Sequence, residues 1–131
     1  VGGTYGNGLI GGVGGNASMQ VGDGDEALLG GVGDDTLTGG EGDDQVTGGA
    51  GADQFDFALG DGIIRVTDFE SGVDVMAFID LPSHFDEAAD LLPYISQMGD
   101  DVVIAANGSG FLLENTQLSD LDAGDVIFLS T

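Results

Sequence analysis

The sequence predicts an all-β fold: a parallel β-roll, a two-sheet solenoid of nonapeptide repeats, capped by a carboxy-terminal β-rich segment with one or two short helices. Three observations predict it. Glycine supplies 26 of 131 residues, about three times its usual share near 7%, and 21 of the 26 lie in residues 1–62. A period of nine runs through that part, with an apolar residue at a fixed place in each block. Finally, 24 acidic residues face a single cation, Arg65, for a net charge of −23, in a chain that is still 41% hydrophobic.

The blocks start at Gly3, Gly12, Val21, Gly30, Gly39 and Gly48. Three of them, GGVGDDTLT, GGEGDDQVT and GGAGADQFD, are contiguous and nearly regular; VGDGDEALL is close, and GTYGNGLIG and GVGGNASMQ are looser. A weaker seventh block, FALGDGIIR, follows from Phe57. The fourth position is glycine in all seven, from Gly6 to Gly60. The eighth is apolar in all seven: Ile10, Met19, Leu28, Leu37, Val46, Phe55 and Ile64. A flexible glycine-rich linker would hold its apolar residues in no fixed phase. The glycine half-block reads instead as a turn that needs positive φ and close backbone approach. The other half reads as a very short strand with its middle side chain inward. Two blocks close one coil, and stacked coils pair their strands in parallel over a shared apolar column.

Charge excludes several functions. So acidic a surface repels nucleic-acid backbones and anionic lipid, so neither a nucleic-acid partner nor membrane insertion is expected. No apolar run has the length of a membrane span, and the first residues carry no signal-peptide pattern. With no cysteine, disulfides and thiolate metal sites are impossible. The acids and the apolar content are compatible if a divalent cation neutralises the carboxylates as the chain folds. Oxygen ligands point to Ca²⁺, and less to Mg²⁺. A chain that begins at Val1 is expected to be a fragment or processed piece, with an upstream domain of the same protein as a partner.

The three regular blocks resemble the GGxGxDxUx nonapeptides of the RTX (repeat-in-toxin) family. The resemblance implies a parallel β-roll, calcium in the turns and export by a type I secretion apparatus. It also implies that the sixth-position acid reaches into the gap between successive turns. That position holds Gly8, Ala17, Glu26, Asp35, Asp44, Asp53 and Gly62. Turns on one edge are one coil rise apart, about 4.8 Å. Asp35 and Asp53 are then stacked neighbours able to clamp one Ca²⁺. Glu26 with Asp44 is a second site on the other edge, and Asp44 with Asp61 a weaker third. The remaining ligands would be backbone carbonyls of Gly31, Gly33, Gly40, Gly42, Gly49 and Gly51. The fifth-position acids Asp25, Asp34 and Asp43 are expected to point outward or to support the turns. The first two blocks read as metal-poor, with Asn7 and Asn16 as turn formers.

Residues 63–131 read as a capping and secretion module, packed with the repeats of residues 1–62 as one continuous domain. Ile63 to Phe69 reads as a strand, and Val75 to Ile79 as another. LPSHFDEAADLLPYISQM suggests one or two short helices, with Ser83 and Asp86 capping, Phe85, Ala88, Ala89 and Leu92 on one face, and Pro93 as a breaker. DVVIAANGSGFLLEN reads as a hairpin around Asn107 and Gly108, LSDLDAGD as a turn, and Val126 to Leu129 as the last strand. This half resembles the module that follows the repeats in serralysin-type proteases. In IIRVTDFESGVDVMAF, Asp68 and Asp74 are either further calcium ligands or turn formers in solvent. The final Asp125-Val-Ile-Phe-Leu-Ser-Thr is similar to the acidic-then-apolar termini that type I exporters recognise, and it equally reads as a buried strand.

No catalytic pattern stands out. The one histidine, His84, sits among helix-start residues, where a surface or packing role is expected, and HExxH is impossible. A two-carboxylate glycosidase would need acids outside the calcium pattern, and only Tyr5 and Tyr94 join the seven Phe as sugar platforms. The expectation is a non-catalytic, secreted, extracellular module. It would fold on meeting calcium and serve the stability and export of a larger exoprotein: a protease, a lipase or a polysaccharide-modifying enzyme. The alternative is an adhesin, surface-layer or filament assembly module. An ice-binding roll would need a flat Thr array, and outward positions offer only Thr36, Thr38 and Thr47. Binding a polyanion would need more cations than Arg65.

Overall fold

Short strands separated by glycine turns can bury an apolar side chain only by stacking, and that is the architecture observed. The computed structural model describes residues 8–10, 16, 18–20, 23–58, 62–79, 88–106 and 109–129. In the repeat half the strands are β1 (Gly8–Ile10), β2 (Ser18–Gln20), β3 (Ala27–Val32), β4 (Thr36–Thr38), β5 (Asp44–Ala50) and β6 (Gln54–Ala58). Next come β7 (Ile63–Val66), β8 (Val75–Ile79), β9 (Ile95–Met98), β10 (Asp101–Ala106), β11 (Ser109–Leu113) and β12 (Val126–Leu129). Alternate strands go to opposite sheets. One sheet runs β1-β3-β5-β7-β11-β10-β9 and the other β12-β8-β6-β4-β2.

The repeat strands pair in parallel with an offset of two blocks. Leu28 lies opposite Val46, and Leu37 opposite Phe55. Met19 stands opposite Leu37. All five of these eighth-position side chains are buried in one core. The eighth-position column breaks at both ends. Leu9, not Ile10, pairs with Leu28, an offset of 19 residues against 18 in the regular repeats that follow. Val66, not Ile64, pairs with Val46, and Ile64 falls opposite Asp44. The coil joining β5 to β7 carries two extra residues. An even insertion keeps side-chain parity, so Ile64 and Val66 both remain inward and buried.

The carboxy-terminal half continues the same two sheets. β11 extends the first sheet in parallel beside β7, and β10 and β9 add antiparallel strands. β12 closes the second sheet by parallel pairing with β8. Phe78 sits at the centre of an aromatic cluster, with ring centroids 5.7 Å from Phe57, 5.3 Å from Phe111 and 5.7 Å from Phe128. Edge-on and offset rings at such spacing add about 0.5–1.5 kcal/mol per pair beyond burial.

Several expected elements differ in extent. The strand expected over Ile63 to Phe69 stops at Val66, because Asp68 turns away to accept amide hydrogen bonds from the repeats. The expected short helices become a 3₁₀ segment, Ala88–Tyr94, that contains Pro93 and leads into β9. Its buried Leu91 joins the core. The expected LSDLDAGD turn is two single 3₁₀ turns, Leu118–Asp120 and Ala123–Asp125. Ser83, His84, Phe85, Asp86, Asn107 and Gly108 lie outside the described residues. Among the described residues, no helix is long and apolar enough to cross a membrane.

Candidate metal centre

The turns stack along two edges of the roll, and an acid leads into five of the strands that follow them. On one edge Asp35, Asp53 and Asp74 immediately precede β4, β6 and β8. On the other, Glu26 immediately precedes β3 and Asp44 opens β5. All five are buried: Glu26 is 3% exposed, Asp35 1%, Asp44 2%, Asp53 2% and Asp74 1%. Ionised side chains are rarely so enclosed without a partner.

These acids are threaded together through the backbone. Asp53 Oδ1 accepts the Asp35 amide at 3.0 Å, and Asp44 Oδ1 accepts the Glu26 amide at 2.9 Å. Asp74 Oδ1 accepts the Asp53 amide at 2.9 Å. Each carboxylate thus reaches back toward the preceding coil on its edge, so Asp35 meets Asp53 and Glu26 meets Asp44, the pairs expected from the spacing. The fifth-position side chains reach the opposite way. Asn16 Oδ1 accepts the Asp34 amide and Asp34 Oδ1 the Ala52 amide, both at 2.8 Å. Asp25 Oδ1 accepts the Asp43 amide at 2.8 Å, and Asp43 Oδ1 the Ile63 amide at 3.0 Å. Asp25, Asp34 and Asp43 are exposed and support the turns at once. Asn16 shows that this ladder needs no charge.

Glycine spacing follows from contact as much as from φ. A Cβ on Gly48 would strike the Asp53 carboxylate, and one on Gly39 the Asp44 carboxylate. A Cβ on Gly51, where φ is +109°, would strike the Gly33 carbonyl oxygen. Gly31, Gly33, Gly40, Gly42, Gly49 and Gly51 all adopt positive φ, as does Gly24. The carbonyls of Gly24, Gly31, Gly33 and Gly42 lie against glycines of the next coil, where only a missing side chain leaves room.

The acids of the repeats are left with buried oxygens that meet no hydrogen-bond donor: Oδ2 of Asp53 and both carboxylate oxygens of Glu26. Burial pushes the Asp53 carboxyl up to about 7; the Asp35 amide opposes this, and the charges of Asp74, Asp35 and Asp68 add to it. Burial, then the charges of Asp25 and Asp23, pushes Glu26 above its ordinary range. Among the described residues, no group of three or more acidic or histidine side chains converges. A cation here would therefore take paired carboxylates and complete its shell from backbone carbonyls, the donor set of a hard ion such as Ca²⁺. The residues present fit that ion: buried acceptor oxygens without donors, next to carbonyl-rich turns.

Asp68 and Asp74 support turns, but not in solvent as the sequence suggested. Asp68 accepts the amides of Gly48 at 2.9 Å and Gly49 at 2.8 Å, one with each oxygen. Asp74 accepts Asp53 with one oxygen and the Glu70 amide, at 2.9 Å, with the other. They are turn formers, but Asp74 is fully enclosed and Asp68 half-buried, not solvated. Asp74 heads an Asp-Val-Met triplet matching Asp35-Thr-Leu, a signal that could have placed it in the Asp53 column despite its spacing of 21 residues. Asp61 lies outside the described residues, and Ile64 stands where a partner acid for Asp44 would be needed. Thr36 and Thr38 are on one sheet and Thr47 is on the other, so they form no single array.

Residues 20–64 match the family model of the RTX calcium-binding nonapeptide repeat, described as four copies. No curated protein matches the chain. Among solved structures the chain is similar to an extracellular lipase from Serratia marcescens, with 22% identity and a TM-score of 0.67. That match covers 86% of this chain but only 19% of the lipase. It is also similar to a subunit of the Azotobacter vinelandii mannuronan C5-epimerase, with 26% identity and a TM-score of 0.65, covering 97% of this chain and 80% of the subunit. Residues 20–64 match RTX calcium-binding nonapeptide repeats, and the chain has the fold of a parallel β-roll, similar to both solved structures.

Proposed function

We propose that this chain is a calcium-folded module of a larger secreted protein, with the repeats of residues 1–62 as the calcium roll and residues 63–131 as its cap and export segment. Asp35 and Asp53 would hold one ion and Glu26 and Asp44 a second, with glycine carbonyls of the adjoining turns completing each shell. The observation that carries this reading is the set of buried carboxylate oxygens without donors at Asp53 and Glu26. Bound calcium would supply positive charge and a partner for those oxygens. The chain's own residues do the rest. Backbone amides of Glu26 and Asp35 orient the Asp44 and Asp53 carboxylates, and the glycines keep the turns close enough to share an ion.

The export logic is physical. At low cytosolic calcium the buried acids repel one another and the roll is disfavoured, so the chain can be threaded out unfolded. Outside, calcium near ~10⁻³ M neutralises the turns and folds the module. Two similar structures are parts of enzymes, one of them an extracellular lipase, and this supports an extracellular parent with its own catalytic domain upstream. A non-catalytic role for this chain fits its acids. A cavity of about 460 Å³ lined by Met76, Leu91, Ile104 and Val126 reaches the buried Asp125, whose oxygens already bind Ser71, Gly72 and Asp122. The test is export. Expressed in bacteria carrying a type I exporter, the chain is expected in the medium, and removal of residues 126–131 is expected to retain it. Retention of the intact chain in cells with a working exporter would contradict the secretion role.

A further inference from the structure

We infer that Asp74 and Asp125 are positioning residues for the calcium edge, acting on Asp53 through the 70–74 turn; this rests on the proposed calcium role of Asp53. Asp125 is wholly buried. Its Oδ2 accepts the Ser71 hydroxyl at 2.7 Å and the Asp122 amide at 2.8 Å, and its Oδ1 accepts the Gly72 amide at 2.9 Å. A residue more than fifty positions downstream thus grips the middle of the turn between β7 and β8. The same turn is closed by Asp74, whose Oδ2 accepts the Glu70 amide and whose backbone amide donates to the Glu70 carbonyl at 2.8 Å. Asp74 Oδ1 then holds the amide of Asp53, and the Asp53 carbonyl accepts the Val75 amide at 2.9 Å.

The Asp53 main chain is therefore held at its amide by the last residue of this turn and at its carbonyl by the first residue of β8, and the turn is fixed by Asp125. Fixing the main chain sets where the Asp53 side chain can go. Its Oδ1 holds the Asp35 amide and its Oδ2 lies against Gly48. On the opposite edge Asp44 is followed in its column by Ile64, so no acid stands there in the place of Asp74. The groups facing the clamp are all accounted for: every oxygen of Asp74 and Asp125 has a protein donor, so neither is a vacant ligand. Partners that hold a metal ligand in place commonly change affinity by 10–100-fold when removed. Coupling of this kind is reciprocal, so calcium at the Asp53 edge also tightens the docking of β12, which starts at the residue after Asp125.

The experiment is a calcium titration of Asp125→Asn, read by far-UV circular dichroism, in three backgrounds: the natural chain, Asp53→Asn and Asp44→Asn. In an asparagine, one position of the clamp turns a donor toward a donor. The expected midpoint shift is about tenfold in the natural and Asp44→Asn backgrounds, and under about threefold once Asp53 has lost its charge. A merely structural Asp125 lowers overall stability and shifts the midpoint equally in both; equal shifts overturn the inference. Ser71→Ala removes one of the three bonds and is expected to give a smaller shift with the same dependence on background, which serves if Asp125→Asn does not fold. A natural chain that ignores calcium overturns the proposed function itself; a chain that responds without the background dependence overturns only the positioning role.

Discussion

Asp53 and Asp74 succeed one another in the same column, each just before an inward-facing strand, yet their surroundings differ. Asp53 has one oxygen on an amide and one with no donor; Asp74 has both oxygens on amides. Asp68 and Asp125 follow Asp74, with every carboxylate oxygen taken by a protein donor. Both regions enclose negative charge, but among the described residues the buried carboxylate oxygens without donors are in the repeats. Turn length decides which way an acid goes. In the repeats the Gly48 and Gly49 amides beside Asp53 go to Asp68 instead. The longer 67–74 turn brings the amides of Glu70 and Gly72 to the carboxylates. Burial still raises the Asp74 carboxyl, against the two amides that lower it, with Glu70 and Asp68 adding repulsion.

The largest expected contrast is between Asp74→Ala and Asp53→Ala. Asp74→Ala strands the amides of Asp53 and Glu70, and each buried donor left without a partner costs about 1–3 kcal/mol. It should lower the melting temperature in calcium and in chelator alike. Asp53→Ala strands only the Asp35 amide but removes a proposed ligand, so its cost should be concentrated in saturating calcium. Melts of both variants in calcium and in EGTA check this, and parallel losses for the two would erase the distinction.

Next in size is Gly51→Ala. Its φ of +109° and the Gly33 carbonyl against it leave no space for a methyl group. A non-glycine residue in that region costs about 1–2 kcal/mol before any clash. Gly72→Ala, in open space at φ +83°, should carry the conformational cost alone. Chemical denaturation in calcium compares the two.

A proton should partly replace calcium in the repeats. Asp53 titrates near 7 in the folded chain and Glu26 also above its ordinary range, against about 3.9 and 4.3 for free side chains. A raised folded-state pKa stabilises the fold fully below the free value and loses that contribution as pH rises through the folded value. In EGTA the melting temperature should therefore fall from pH 5 to pH 8, and in calcium this slope should flatten. A slope of opposite sign in EGTA would contradict the burial of these acids. The smallest effect belongs to the sole cation. Arg65 and Glu114 pair at 2.7 Å on the surface, with the arginine side chain 51% exposed. Arg65→Ala should cost under about 1 kcal/mol and leave the calcium midpoint unchanged.

Much of this was legible in the sequence. The nine-residue period identified the apolar column from Met19 to Phe55 and the facing acids Asp35 with Asp53 and Glu26 with Asp44. Strict repetition makes sequence offset equal to spatial offset, so a linear pattern reads directly as contact. Legibility ended where the coils lengthen. Offsets of 20 and 21 residues move Val66 opposite Val46 and Asp74 behind Asp53, and no fixed period anticipates them. The roles of Asp68 and Asp125 were hidden for a different reason: their partners are backbone amides far along the chain, and amides have no sequence signature. β9 was missed because its strand is set by pairing with β10, not by its own polar, largely exposed residues.

The central claim is that the repeats need calcium for what the cap obtains from hydrogen bonds. Far-UV circular dichroism of the EGTA-treated chain during a CaCl₂ titration, with MgCl₂ as control, tests it most directly. The predicted result is a weakly folded chain in EGTA at neutral pH, with much of its β signal missing, that gains this signal at about 0.1–1 mM calcium and fails to do so with magnesium. A chain already folded in EGTA at neutral pH, and unmoved by calcium, would contradict it.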